Sequence, residues 1–292
     1  MPQIAANGIS LEYEAYGDPA NPPMLLVMGL GAQLTLWPIE LVEALVARGY
    51  YVIRYDNRDI GLSTKFDNAG LPDLPAIGMA LMTGKAPPVA YTMADMAADA
   101  IGLLDALGIA RAHMVGASMG GMIAQLVAAT YPERVLSLTS IMSTTGNRAL
   151  PAATAEAMAV LTSRPTSADL DVVVDFGVMA ARTIGSPAYP APETRLRDRV
   201  TRDFNRSFSP FGTMRQYAAI MADGDRRERL KAITAPTLVI HGEADPLVPV
   251  EGGKDTAKSI AGAKLHLIPG MGHDLPIELV DEVADAIAGV AR

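Results

Sequence analysis

Short apolar runs recur along this chain at helix-length intervals: MLLVMG, YYVIRYD, HMVG, VLSLTSIMS, PTLVIHG and KLHLIPG. Each is short and bounded by turn formers, so each reads as a strand, and MLLVMG as a buried one. An earlier strand is expected over residues 11–16, before the break at Asn21-Pro22-Pro23. Helix-spaced segments lie between the runs. One covers residues 38–48, with Pro38 in its first turn and Gly49 after its end. Another covers 93–108, with Thr92 as N-cap and Asp95 favouring the first turn. Three more are expected over 119–132, 252–260 and 277–290. Strands that alternate with helices predict an α/β fold: a mostly parallel sheet with helices on both faces.

Two stretches depart from this rhythm. Residues 62–91 contain several prolines and glycines and show no firm period. Uncovered loops of that length often serve function. Residues 145–229 are helical in composition and are interrupted by Pro165, Pro187, Pro190, Pro192 and Pro210. The expected organisation is therefore a core of residues 1–144 and 230–292 with a helical cap, 145–229, inserted over one edge of the sheet. A length of 292 residues is long for one compact domain and short for two independent ones.

Composition narrows the function. Half of the residues are apolar, enough for a large core, and the net charge is −8 with no basic run. Nucleic acid is therefore not expected as a partner. The chain has no cysteine, which excludes disulfides, thiolate chemistry and cysteine-ligated metal. The first ten residues lack the charged and apolar regions of a secretory signal, and the run Met24–Leu30 is far too short to span a bilayer. A cytoplasmic protein without a membrane span is expected.

The chemistry centres on VGASMGGMIAQ, residues 115–125. Gly116-Ala117-Ser118-Met119-Gly120 follows an expected strand and opens an expected helix. A serine on such a turn takes a strained backbone conformation and projects its hydroxyl outward, while Gly116 and Gly120 let neighbouring backbone approach. A tight turn packing helix on strand would use similar glycines, so the turn needs partners to count as a nucleophile elbow. A serine hydroxyl needs a base. Of four histidines, His113 and His266 lie inside strands and His241 ends one. His273 sits in a Gly-rich loop just past the last strand, where sites of α/β sheets assemble. An imidazole, with an ordinary pKa of about 6.5, suits proton transfer near neutrality. The acid should fall between serine and histidine. EADPLVP supplies Asp245, with Glu243 as rival, and the other natural position, STTGNR after VLSLTSIM, holds no carboxylate. An Asp-Pro turn alone would also explain Asp245. Two backbone N–H donors would complete an oxyanion hole: Met119, after the serine, and Leu30 in the Gly29-Leu30-Gly31 loop.

Taken together these residues resemble the α/β-hydrolases, and within them the branch of methylesterases that includes aclacinomycin methylesterase. The matching stretches are LLVMG, VIRYDNRDIGLS, VGASMGG, PTLVI followed by ADPLVP, and IPGMGH, and they run through nearly the whole chain outside the insertion. Two departures stand out. Many relatives carry His-Gly at the oxyanion loop, whereas this chain has Met28-Gly29. The backbone donor survives that change, but the support of the loop must differ. Many relatives also read R-G-x-G-x-S after the second core strand. Here Arg58-Asp59-Ile60-Gly61-Leu62-Ser63 places aspartate at the first glycine, and Arg58 and Asp59 are expected to be structural. Serine at the elbow argues against haloalkane dehalogenases and epoxide hydrolases, which place aspartate there.

The resemblance and the residues imply a serine hydrolase that cleaves a carboxylic ester through an acyl-enzyme, with no metal and no organic cofactor. Methionines of the insertion and the long loop, Met158, Met179, Met214 and Met221 with Met79 and Met82, are as a group candidates for an adaptable apolar pocket, although each alone is better explained by core packing. A small to medium hydrophobic ester is the expected substrate. The same triad would serve C–C bond hydrolysis or cofactor-free perhydrolysis. A hydrolase-like protein that binds a small molecule without turning it over is a further reading.

Overall fold

The structure, a computed structural model, describes residues 2–291. An eight-stranded sheet runs through it. Its strands are β1 (Gln3–Ala6), β2 (Ile9–Tyr16), β3 (Pro23–Val27), β4 (Tyr51–Tyr55), β5 (Ala112–Ala117), β6 (Val135–Ile141), β7 (Thr237–Gly242) and β8 (Lys264–Ile268). The spatial order is β1-β2-β4-β3-β5-β6-β7-β8, antiparallel at the first two pairings and parallel thereafter. Every strand expected from the apolar runs is present. The hairpin partner β1 had no signal of its own, because four residues are too few to show a period.

The helices α1 (Ile39–Ala47), α3 (Met93–Ala106), α4 (Met119–Thr130), α10 (Val250–Ser259) and α11 (Val280–Val290) lie close to their expected positions, and α2 (Leu74–Met82) adds one inside the irregular stretch. Pro38 proves to be the residue before the first turn, not within it. The last helix is preceded by a 3-10 turn over Ile277–Leu279. Thr92 caps α3 reciprocally with Asp95: its hydroxyl accepts the Asp95 N–H at 3.2 Å, and the Asp95 carboxylate accepts the Thr92 N–H at 2.7 Å.

Side-chain alternation splits the core into two layers. Leu25, Val27, Ile53 and Met114 face α3 and α4, in one cluster with Met96, Leu103, Ile123 and Val127. Met24, Leu26, Val52 and Val115 face the other way and pack with Leu41 and Leu45 of α1 and Val283 and Ile287 of α11. The central strands are apolar at consecutive positions for this reason. Between β6 and β7 the chain forms α5 (Ala155–Thr162), α6 (Leu170–Ile184), α7 (Glu193–Arg206), α8 (Pro210–Asp223) and α9 (Arg227–Leu230). Val174, Val178 and Leu196 give α6 and α7 a small core of their own. No helix among the described residues is long and apolar enough to cross a membrane.

Candidate active site

Ser118 stands at the junction of β5 and α4 with φ 55° and ψ −120°. A non-glycine residue at positive φ is strained, and this one persists because its surroundings over-determine it. A Cβ on Gly116 would lie 2.1 Å from the Gly120 carbonyl oxygen, and one on Gly120 would lie 1.9 Å from that of Val27. No side chain fits at either position. The Ser118 N–H donates to the Ile141 carbonyl at 2.9 Å, and the Ser143 hydroxyl donates to the Ser118 carbonyl at 2.8 Å. The elbow is thus clamped by β6 on one side and by β3 on the other.

Three side chains that are far apart in the chain meet here. His273 Nε2 lies 3.0 Å from Ser118 Oγ, and His273 Nδ1 lies 2.7 Å from Asp245 Oδ2. A carboxylate only accepts, so Nδ1 carries the proton in this pair. The neutral ring then has a lone pair at Nε2, facing the serine hydroxyl. Asp245 is buried, and its other oxygen accepts the N–H groups of Leu247 and Val248 at 2.9 and 2.8 Å. It is therefore both an Asp-Pro turn and the partner of His273. Glu243, the rival acid, is exposed.

The other histidines go elsewhere. His113 bonds Ser137 Oγ at 2.9 Å in the buried centre of the sheet, and burial pushes its imidazole down to about 4. His266 pairs with Glu282 at 2.8 Å on the surface. His241, at the end of its strand, lies near the site. It is fully buried, donates from Nε2 to the Val248 carbonyl at 2.8 Å, and lies 3.7 Å from Asp245 Oδ2. It buttresses the turn that carries Asp245, and burial holds its pKa below the ordinary value.

Two loops close over the elbow. In the first, a Cβ on Gly29 would come within 3.1 Å of Ser118 Cβ, so Gly29 lies directly against the serine. In this loop the Gly31 N–H is taken by Gln216 at 2.9 Å and the Ala32 N–H by the Gly29 carbonyl at 3.4 Å. Met119 is the first residue of α4, where N–H groups have no partner within the helix. The second loop carries His273. Its N–H donates to the Ile184 carbonyl at 2.7 Å, the Gly272 N–H donates to Ser186 Oγ at 2.8 Å, and the Ser186 hydroxyl donates to Asp274. Asp274 sits beside Arg199, yet burial raises its carboxyl above the ordinary range. Ile184, Ser186 and Gln216 all come from the insertion, and nothing in their local sequence marked them.

The candidate pocket methionines scatter. Met221 joins Met82, Met122 and Ile220 around a cavity of about 450 Å³ between α2, α4 and α8, with Arg148 and Arg226 at its polar side. Met179 lines a separate cleft between α6 and α7 with Val178 and Arg182. Met158, on α5, is partly exposed, and Met214, on α8, is half-buried. Met79 lies on the exposed side of α2. Of the residues lining the cavity beside Met221, Met122 is one turn beyond Ser118 on α4 and Thr144 adjoins Ser143, while Ser118, Asp245 and His273 do not line it.

Arg58 and Asp59 have structural surroundings. Asp59, at φ 73°, takes Arg215 bidentately at 2.8 and 2.7 Å and the Tyr91 hydroxyl at 2.7 Å. Arg58 pairs with Asp99 at 2.6 and 2.7 Å and lies over the rings of Phe66 and Tyr91. Among the described residues no group of three or more His, Asp or Glu side chains is arranged to hold a metal.

Residues 22–278 match the family model described as alpha/beta hydrolase fold. The chain belongs to that family. Rhodomycin D methylesterase DnrP of Streptomyces peucetius is 29% identical over 310 aligned positions, covering 99% of this chain and 97% of that protein. The corresponding methylesterase of Streptomyces sp. strain C5 is also 29% identical with the same coverage, so the resemblance to the methylesterase branch extends over the full length. A 2-hydroxy-6-oxononadienedioate/2-hydroxy-6-oxononatrienedioate hydrolase of Burkholderia vietnamiensis is 30% identical, covering 87% of this chain and 81% of its own. Among solved structures, the enol-lactonase from Burkholderia xenovorans LB400 superposes with a TM-score of 0.73 at 24% identity over 99% of both chains. That similarity extends the shared α/β-hydrolase fold through the insertion.

Proposed function

We propose that this α/β-hydrolase is a serine esterase that cleaves a carboxylic ester of a small to medium hydrophobic substrate through an acyl-enzyme. The observation that carries the reading is the continuous chain of hydrogen bonds from Ser118 Oγ through His273 to Asp245, mounted on a strained elbow. The full-length similarity to two methylesterases favours an ester as the substrate.

In this mechanism Ser118 Oγ attacks the ester carbonyl carbon as His273 Nε2 takes its proton. The oxyanion that forms is held by the N–H groups of Met119 and Leu30. Leu30 is favoured within its loop because the two N–H groups that follow are already committed. Asp245 keeps the imidazole in the required tautomer and stabilises the imidazolium without taking its proton. His273 then protonates the departing alcohol. Water, deprotonated by His273, attacks the acyl carbon, and Ser118 leaves with the returned proton. No cofactor enters any step.

We assign residues 145–229 as a cap over this site and the cavity beside Met122 and Met221 as the seat of the apolar part of the substrate. The test is hydrolysis of p-nitrophenyl esters from acetyl to decanoyl by wild type and Ser118→Ala in parallel. Ser118-dependent turnover is expected, with Ser118→Ala lower by several orders of magnitude. A fully active Ser118→Ala protein would overturn the assignment. Met221→Trp should shift the chain-length optimum downward. Absence of ester turnover together with hydrolysis of a vinylogous 1,5-diketone would instead favour C–C bond cleavage, the chemistry suggested by the Burkholderia vietnamiensis relative.

A further inference from the structure

The loop after β3 begins at Met28, whose thioether is at best a weak acceptor, so other groups must hold the loop. The Met28 side chain is buried, and its carbonyl accepts the Asn57 side-chain amide at 2.8 Å. Asn57 anchors the start of the loop only. Its middle is held from the insertion. Gln216 of α8 is wholly buried, accepts the Gly31 N–H at Oε1 at 2.9 Å, and donates from Nε2 to the Arg58 carbonyl at 2.9 Å. One side chain thus ties together the loop after β3, the loop after β4, and α8.

Peptide planarity makes this consequential. The Leu30 N–H shares a peptide plane with the Gly29 carbonyl, which the Ala32 N–H holds at 3.4 Å. The next plane, Leu30 to Gly31, is the one that Gln216 holds. With both planes tethered, neither can rotate freely, and the direction of the Leu30 N–H follows. The seat is close-fitting. Gly31 has φ +69°, and a Cβ there would lie 2.8 Å from Thr213 Oγ1, one turn before Gln216. A buried amide that satisfies two backbone groups in different loops is costly to remove, because both would be left unpaired.

We propose that Gln216 is a positioning residue that aims the Leu30 N–H at the oxyanion and so couples the insertion to the chemistry. This rests on the esterase reading. The test pairs steady-state kinetics on p-nitrophenyl butyrate with amide hydrogen exchange of the peptide spanning residues 29–32, in wild type, Gln216→Met and Gln216→Glu. Gln216→Met loses both hydrogen bonds at similar volume. It should lower kcat by about 10- to 100-fold, below the full loss of an oxyanion donor, with KM changed less than about twofold. It should also speed exchange in the loop. Gln216→Glu keeps an acceptor for Gly31 but sets a carboxylate oxygen against the Arg58 carbonyl in a buried site, so it should lose at least as much kcat and protection as Gln216→Met. Should Gln216→Met fail to fold, Gln216→Asn, one methylene shorter and still polar, is expected to lose kcat and loop protection in the same way. Unchanged exchange in the loop or a kcat equal to wild type in Gln216→Met would each overturn the proposal. If wild type cleaves no ester, the esterase reading fails, and the exchange measurement still decides whether Gln216 holds the loop.

Discussion

Around Ser118 the backbone is shaped by residues that adjoin it in the chain or in the sheet. Gly116 and Gly120 clear space for each other's turn and for Val27, and β6 supplies the remaining bonds. The loops that carry Leu30 and His273 are shaped differently. Their holding groups are Gln216, 185 positions from Gly31, and Ser186, 86 positions from Gly272. The elbow is a rigid product of the core. The flanking loops depend on the docking of the insertion. This division leaves Ser118 placed by the core while the loops of Leu30 and His273 depend on packing elsewhere.

The sharpest way to break this comparison is at the elbow. Gly120→Ala places a methyl 1.9 Å from the Val27 carbonyl oxygen, which only backbone movement in β3 can relieve. It should destabilise by more than about 4 kcal/mol, an exceptional loss for one methyl, and fail to give a cooperative urea transition. A stable Gly120→Ala protein would mean that the elbow is less rigid than its contacts require.

Next in size is Arg215→Met. It leaves Asp59 fully buried without its guanidinium partner, at an expected cost of about 3–5 kcal/mol. The loss should fall on the loop after β4 and on α8, and so reach the oxyanion loop, while the elbow keeps its geometry. Urea midpoints and exchange protection of residues 29–32 against 115–121 measure that contrast. Equal loss of protection in both segments would erase the distinction.

His113 probes the core through pH. Burial lowers its folded pKa to about 4 from an unfolded value near 6.5, so the unfolded chain binds a proton that the folded one refuses. The stability from this group is complete above pH 6.5 and is lost as pH falls toward 4, by up to about 3 kcal/mol. Unfolding free energies measured from pH 7 to 4 should fall less steeply in His113→Asn than in wild type.

The smallest effect belongs to Ser186→Ala, which unbinds the Gly272 N–H and Asp274. A stability loss of about 1–2 kcal/mol is expected. Under the proposed mechanism kcat should drop with little change in KM, since the base is displaced and the binding surface is not. A KM effect alone would assign Ser186 to substrate binding instead.

Much of this could be read without coordinates. The strands were visible because residues buried on both faces must be apolar at every position, as in MLLV and PTLVI. The capped start of α3 and the glycines of the elbow are local devices with local signals. The convergence of Ser118, Asp245 and His273 followed from chain order and from the end of the sheet each residue occupies. The helix α2 escaped notice because Pro75 and Gly78 lie within it and it has no polar face to set a period.

What the chain alone decided, then, is whatever depends on neighbours within one turn or one strand: element type, caps, and the steric need for glycine. Tertiary structure decided the rest. The Asp59–Arg215 pair, the hold of Ser186 on Gly272, and the grip of Gln216 on Gly31 each join residues that share no local pattern. A hydrogen bond needs only two groups brought within about 3 Å. Periodicity and spacing cannot report that proximity when the partners lie on different elements.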